Sequence, residues 1–231
     1  MTKKFLISSI SIITGLFVIF AVVMAVVLAN GKMALGIDNS VANFFYSTRG
    51  EKGDFGYWFF RIITELGHYY FVIAFILIMA IVWKFRGKTW FLAIPVAVSW
   101  GLHEIIKLFI KRPRPDVMMQ WMTESSSSFP SGHSSTATCL FVLLIFFVVI
   151  SPYLKQWLKI LFSSLCTIAI VLVPISRLFL GMHYFSDVLA GMCWGGAFAV
   201  LGILLYRLFV DKKLKKEKTA QEQQKQKENE K

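Results

Sequence analysis

Cysteine is scarce in this chain. Only three occur, Cys139, Cys166 and Cys193; the number is odd, and each lies inside an apolar run. A disulfide framework or a cysteine-based metal site would show paired spacings, and none is present. The three read as small buried hydrophobes, and neither a metal nor a cofactor is expected. Acidic residues are also few, 13 against 25 Lys and Arg, a formal charge of +12. In a soluble protein that excess would suggest nucleic acid. No nucleic-acid motif accompanies it, so no nucleic-acid partner is expected. The basic residues lie largely in the tail and short loops, where topology and anionic lipid headgroups account for them. No internal repeat is evident.

Apolar length is abundant. Hydrophobic residues make up 56% of the 231 positions, and the mean hydropathy is +0.62. Runs of about 20 apolar residues are long enough to cross a bilayer as helices. The first covers roughly 5–29, after Lys3 and Lys4. Val27-Leu28-Ala29 resembles a signal-peptidase site, but the run exceeds a secretory core, so an uncleaved first span is expected. Further spans fall near 69–84, 89–109, 134–151, 157–176 and 187–209. The segment 31–66 is mixed. Within it Phe59, Phe60, Ile62, Ile63 and Leu66 recur at helical spacing, which predicts an amphipathic interfacial helix leading into the second span. The expected fold is therefore all-α and integral to the membrane, with six transmembrane helices and an interfacial helix between the first two. Residues 1–210 form the membrane domain. Residues 211–231, rich in Lys, Glu and Gln, form a disordered cytoplasmic tail.

Six spans put both termini on one side. Lys3 and Lys4, Lys84, Arg86 and Lys88, Lys155 and Lys159, and Lys212, Lys213, Lys215 and Lys216 share that side, which the positive-inside rule makes cytoplasmic. Trp83, Trp90 and Trp157 sit near the same boundary, as an aromatic belt would. The protein is expected in the cell membrane as a multi-pass protein. Residues 31–67, 110–133 and 177–186 then face the extracytoplasmic side, provided that Lys111, Arg112, Arg114 and Arg177 are committed to a site there.

Three polar patches emerge on that face. His183 and Asp187 are four residues apart, a spacing that puts both on one face of a helix. The carboxylate can then accept from one ring nitrogen and leave the other as a nucleophile. A helix start that caps its own backbone would show the same pair. Pro130-Ser131-Gly132-His133 runs into an apolar span; glycine lets backbone N–H groups approach an oxyanion, and the helix N-terminus favours a phosphate. A plain turn and cap would serve that sequence equally. Lys107, Arg114 and Arg177 are cations suited to spreading phosphoryl charge. Lipid headgroups at the membrane edge offer an alternative, but Lys107 lies inside the end of the third span, where an ionisable residue is costly and usually functional. Glu104 and His103 precede it by three and four residues; Glu104 can pair with or orient Lys107, and His103 reads as a partner or a packed polar residue.

Taken in order, K-x6-R-P from Lys107 to Pro115, P-S-G-H from Pro130 to His133, and S-R-x5-H-x3-D from Ser176 to Asp187 resemble the type 2 phosphatidic acid phosphatase family, which includes vanadium-dependent haloperoxidases. Three ordered pieces are far more specific than any one. The string from Glu124 to His133 further resembles small bacterial phosphatidylglycerophosphate and undecaprenyl-pyrophosphate phosphatases. The resemblance implies a metal-independent lipid phosphate hydrolase acting through a phosphohistidine. His183 would attack phosphorus, oriented by Asp187, and His133 would protonate the leaving oxygen and then help activate water. Lys107, Arg114, Arg177, Ser131 and Gly132 would hold the phosphoryl oxygens, with Glu104 and Arg112 in support.

The partners implied are a lipid phosphate and the bilayer; no oligomeric state follows from the sequence. Phosphatidylglycerophosphate, undecaprenyl pyrophosphate and phosphatidic acid are the candidate substrates. Met118, Met119, Trp121 and Met122 would either guide lipid chains or anchor the interface. A lipid-to-lipid phosphotransferase uses the same residues. A non-catalytic lipid-binding or transport protein would show a degraded nucleophile or acid, whereas His183 and His133 both stand. Haloperoxidase members are typically soluble, unlike this chain.

Overall fold

The computed structural model describes residues 2–82 and 89–229. Its elements are α1 (Lys3–Ala29), α2 (Gly36–Thr48), α3 (Phe55–Glu65), α4 (Tyr69–Val82), α5 (Trp90–Ile110), a 3₁₀ turn (Val117–Met119), α6 (Gly132–Val149), α7 (Gln156–Phe179) and α8 (Phe185–Asn229). No strand occurs among the described residues, so the chain is all-α. Trp83, Lys84, Arg86 and Lys88 lie outside the described residues.

Among the described residues five helices are long and apolar enough to cross a membrane: α1, α5, α6, α7 and the Phe185–Val210 part of α8. Expectation and structure differ between the first and third of the expected spans. The segment 31–66 forms two helices, not one. The second of these, α3, carries the predicted helical spacing. With α4 it makes a pair that passes the same test together, bent by 52° at the joint. The 14 described residues of α4 rise only about 21 Å, short of a hydrocarbon core of roughly 30 Å. The count is therefore five, or six if the bent pair is one span. Composition led us to expect no folded structure over 211–231; the backbone there stays helical to Asn229, as strongly helix-forming Lys, Glu and Gln permit.

The centre of the bundle is α6 against α8. Within its apolar window α6 is 67% buried, whereas α1 is 11% buried and α7 is 17% buried; the last two turn many of their Ile, Leu, Val and Phe side chains outward, as lipid-facing helices do. α6 and α8 approach closely because α8 presents glycine at the crossing. A Cβ on Gly195 would stand 2.1 Å from the Ser135 carbonyl oxygen, and one on Gly191 would stand 2.5 Å from that of Ser131. Cys139 and Cys193 are buried in this core and Cys166 is partly buried beside it; all three are free thiols.

One end of the bundle gathers the polar groups. α5 stops at Lys111, which takes a left-handed conformation (φ 49°). Pro113 and Pro115 then prevent the helix from resuming. The residues that follow, 112–116, form neither helix nor strand. Arg112 turns toward the starts of α2 and α8, while Arg114 turns toward the loop carrying Glu124. The loop folds back onto this stretch, where the Ser128 N–H donates to the Arg112 carbonyl at 2.9 Å.

Candidate active site

His183 lies in the short loop before α8, not in the helix, and it is buried. The four-residue spacing therefore does not act through a helix face. The loop curls so that Asp187, in the first turn of α8, comes beside the ring. Nδ1 of His183 is 2.8 Å from the Ser128 carbonyl oxygen. A carbonyl only accepts, so Nδ1 carries the hydrogen and Nε2 carries the lone pair. Asp187 Oδ2 is 3.7 Å from Nδ1, beyond hydrogen-bond range. The expected His183–Asp187 bond is thus replaced by the Ser128 carbonyl, and Asp187 acts one step back. Its Oδ2 accepts from the Ser128 hydroxyl at 2.5 Å and from the Tyr184 N–H at 2.9 Å; its Oδ1 accepts from Arg112 at 2.5 Å. The bond to Tyr184 is a helix-capping bond, so the capping and site roles of Asp187 coexist.

Beside Nε2 stand the guanidinium groups. Arg114 Nη1 is 3.3 Å from it and donates to the Met182 carbonyl at 2.7 Å. Arg114 Nη2 and Arg177 Nη2 each donate at 2.6 Å to a different oxygen of the Glu124 carboxylate. Two forks thus hold one two-oxygen anion. Arg177 is fully buried; its Nη1 donates to Thr64 at 2.9 Å, and its Nε has no partner among the described residues. Burial pushes the Glu124 carboxyl up, but the guanidinium groups of Arg177 and Arg114 outweigh it and the pKa is lowered to about 2. Burial, Arg114 and Arg177 hold His183 well below the usual histidine value of 6.5, against a smaller opposing pull from Glu124. A neutral imidazole with a bare Nε2 is the state a nucleophile requires.

The P-S-G-H turn starts α6. Ser131 departs from its expected role as a phosphate donor. Its hydroxyl accepts from the Ser134 N–H and bonds the Ser134 hydroxyl, while its N–H donates to the Asp187 carbonyl at 3.0 Å. Ser131 is the N-cap, and it pins α6 to α8. The N–H groups of Gly132 and His133, in the first turn, have no acceptor within their own helix. A Cβ on Gly132 would meet His103 Nε2 at 2.8 Å and Lys107 Nζ at 3.5 Å, so glycine lets both side chains lie against the helix end. Lys107 is buried with its ammonium 3.2 Å from Glu104, as the spacing on α5 anticipated. The His103 ring is buried as well. Its Nδ1 faces the Ser99 carbonyl at 3.2 Å, and its Nε2 lies 3.0 Å from Glu104 without alignment for a hydrogen bond.

Lys107, His103, Glu104, Glu124, Gly132 and His133 line a cavity of about 340 Å³. It is polar, and it shares Tyr69, Trp100 and Thr136 with an apolar cavity of about 290 Å³ between α4 and α5. Of the expected site residues, Lys107, Glu104, Gly132 and His133 line this cavity; Arg114 and Arg177 reach its wall through their bonds to Glu124, and His183, Asp187, Arg112 and Ser131 stand behind it. Trp121 does not line either cavity. It packs on Arg49 (4.2 Å) and on Phe179 and Tyr57, while Met118 is exposed.

Sequence reasoning missed several contributors. Ser128 is the last of four consecutive serines, with no distinguishing spacing. Thr64 and His68 come from the α3–α4 segment, and the His68 ring stands edge-on to His133 at 5.5 Å. Asp38 comes from α2, which was not anticipated. Glu124, likewise without an assigned role, and Ser128 both lie in the string ending at His133.

Residues 88–211 match the PAP2 superfamily. The chain is 36% identical over 160 residues to phosphatidylglycerophosphatase B of Bacillus subtilis, covering 67% of this chain and 74% of that protein. It is 32% identical over 120 residues to lipid A 1-phosphatase of Rhizobium etli, covering 48% and 47%. The fold superposes on the crystal structure of a transmembrane PAP2-type phosphatidylglycerolphosphate phosphatase from Bacillus subtilis with a TM-score of 0.72 at 25% identity, over 84% of this chain and 96% of that one. It superposes on Aquifex aeolicus LpxE with a TM-score of 0.58 at 19% identity, over 73% and 96%. By the match across more than half of its length, the chain belongs to the PAP2 superfamily.

Proposed function

We propose that this membrane protein hydrolyses a lipid phosphate through a phosphohistidine at His183, without a metal. One observation carries this reading: two guanidinium groups grip a two-oxygen anion beside the bare Nε2 of a neutral, buried histidine. Glu124 supplies that anion here, and a substrate phosphoryl group would take its place, with the unpartnered Nε–H of Arg177 as a further donor. Relatives that act on phosphatidylglycerophosphate and on lipid A support a lipid substrate. So does the continuity of the polar cavity with an apolar one, which suits a headgroup joined to acyl or prenyl chains.

In the first step the Nε2 lone pair forms a bond to phosphorus and the ester P–O bond breaks. His133 gives its proton to the leaving oxygen. In the second step water attacks phosphorus, His133 takes a proton from it, and the P–N bond breaks to release phosphate. Lys107, Arg114, Arg177 and the first N–H groups of α6 hold the equatorial oxygens, where positioning and charge do most of the work of phosphoryl transfer. We further propose that the site faces the extracytoplasmic side, with both termini in the cytoplasm. Phosphatidylglycerophosphate is the leading substrate, ahead of undecaprenyl pyrophosphate and phosphatidic acid, because the most extensive match above is to a phosphatidylglycerophosphatase.

The test is phosphate release by purified protein in detergent with a chelator present, compared across those three lipids by kcat/KM. His183→Ala should lower kcat by at least about 10⁴-fold, as loss of a nucleophile does. Undiminished turnover in that variant would remove His183 as the attacking group.

A further inference from the structure

Arg112 stands outside the phosphate cavity, yet all five of its N–H donors are used. Nε donates to the Lys32 carbonyl at 3.3 Å. Nη1 donates to Ser186 Oγ at 2.7 Å and Asp187 Oδ1 at 2.5 Å. Nη2 donates to the Met33 carbonyl at 3.0 Å and Asp38 Oδ2 at 2.7 Å. Asp38 has no exposed surface. Besides Arg112, it accepts from the N–H of Leu35 at 3.0 Å, the N–H of Ser186 at 2.8 Å and the hydroxyl of Ser186 at 2.8 Å. One carboxylate therefore caps α2, satisfies the first turn of α8 and fixes Arg112. Burying two carboxylates and a guanidinium is a poor way to gain stability, because desolvation cancels most of the attraction.

The consequence reaches His183 by two routes. The Arg112 side chain holds Asp187, which holds the Ser128 hydroxyl. The Arg112 backbone accepts from the Ser128 N–H at 2.9 Å and donates to the Ser127 hydroxyl at 2.9 Å. Both groups beside the His183 Nδ1–H, the Ser128 carbonyl and the Asp187 carboxylate, are thus placed by one arginine. Charge follows the same path. When Nε2 bonds to phosphorus and Nδ1 keeps its hydrogen, the ring becomes cationic. Asp38, Arg112 and Asp187 together carry one net negative charge, whereas Arg112 and Asp187 alone would carry none.

We propose that Asp38 is a positioning residue for the reaction: through Arg112 it sets Asp187 and Ser128 around His183 and keeps the buried triad negative as the ring gains its charge. This rests on His183 being the nucleophile. Asp38→Asn is nearly isosteric but neutral. Measured on phosphatidic acid in detergent micelles, and normalised to folded protein by thermal unfolding, its kcat should fall about 10- to 100-fold with KM within about twofold, the pattern of a misplaced reacting group. Phosphorylation of His183 should slow by the same factor, and Asp38→Glu, which keeps the charge, should recover part of the rate. A kcat within about twofold of the parent, or a loss confined to KM, would overturn the proposal. Should Asp38→Asn not be recovered folded, Ser186→Ala decides. It removes only the hydroxyl between Arg112 and Asp38, so a lower kcat at constant KM is expected and an unchanged kcat overturns. A parent enzyme that never carries phosphate on His183 sinks the nucleophile reading itself. A parent that does, beside an Asp38→Asn variant of full kcat, sinks only the role of Asp38.

Discussion

At the residue scale, neighbouring arginines of the proposed site have different tasks. Arg112 and Arg114 are two positions apart in a proline-braced stretch outside any helix, and they bond different partners. The first spends all five donors on structure, and the second reaches Glu124 and His183. Arg177 contributes a buried fork from α7. Replacing it by Lys keeps the charge but loses the planar geometry. Arg177→Lys should lower kcat about 100-fold, the scale seen when one donor to a developing oxyanion is removed; phosphate release at saturating lipid checks this.

Two titrations also belong to this scale. His183 is held below 6.5 by burial and then by Arg114, Arg177 and Lys107, with Glu124 opposing. The acid limb of kcat/KM for attack should therefore lie below pH 6.5, and a pH–rate profile with the limb above that value would contradict a neutral His183. Glu124 is lowered from 4.5 to about 2. Its unfolded form takes a proton at higher pH than its folded form does. The stability it contributes is complete above about pH 4.5 and is lost as pH falls toward 2. Thermal unfolding midpoints in detergent should fall over that window, and Glu124→Gln should flatten part of the fall.

At the element scale, helix ends do the positioning. α5 stops at a left-handed Lys111, α6 starts at the Ser131 cap, and α8 starts at a turn satisfied by Asp38 and Asp187. These three ends meet because α6 and α8 cross with almost no separation at Gly191 and Gly195. Gly195→Ala would put a methyl 2.1 Å from a backbone oxygen that cannot swing aside. The helices must part, at a cost of about 1–3 kcal/mol, and the midpoint of thermal unfolding should drop by several degrees. An unchanged midpoint would mean that the crossing is looser than the structure has it. The α3–α4 joint is the other element of interest, since its 52° bend brings Thr64 to Arg177 and His68 to His133.

At the scale of the whole molecule, an apolar belt surrounds a polar end. α1, α4, α5 and α7 expose large hydrophobic side chains over most of their length, and the site opens at one end of the bundle. Cysteines introduced at Ser125 and at Lys155, both exposed and at opposite ends, report its orientation. With the site extracytoplasmic, Ser125→Cys should react with an impermeant thiol reagent added to intact cells, while Lys155→Cys should react only after lysis. The reverse pattern would invert the topology. The native cysteines lie within apolar helices, which limits their reaction with such a reagent.

The sequence by itself determined the all-helical membrane character and the five long helices to within a few residues, and it supplied the residue types of the proposed phosphate site. Those properties are local: hydropathy over 20 residues needs no partner, and the motifs place cations and histidines at fixed distances along the chain. It also anticipated the Glu104–Lys107 pair, because three residues on one helix are a fixed geometry. What it could not settle was who touches whom across loops. The His183–Asp187 spacing suggested a direct bond on a helix face; the loop before α8 instead gave that place to Ser128, a residue 55 positions away with no pattern of its own. Arg112 looked like a helper for the phosphate, and folding made it a buried hub. Asp38 carried no signal at all, since a lone carboxylate gains its meaning only when α2 is laid against the start of α8. Backbone periodicity is written in neighbouring residues, whereas hydrogen-bond partners are chosen by the packing of distant ones, and only the tertiary structure makes that choice.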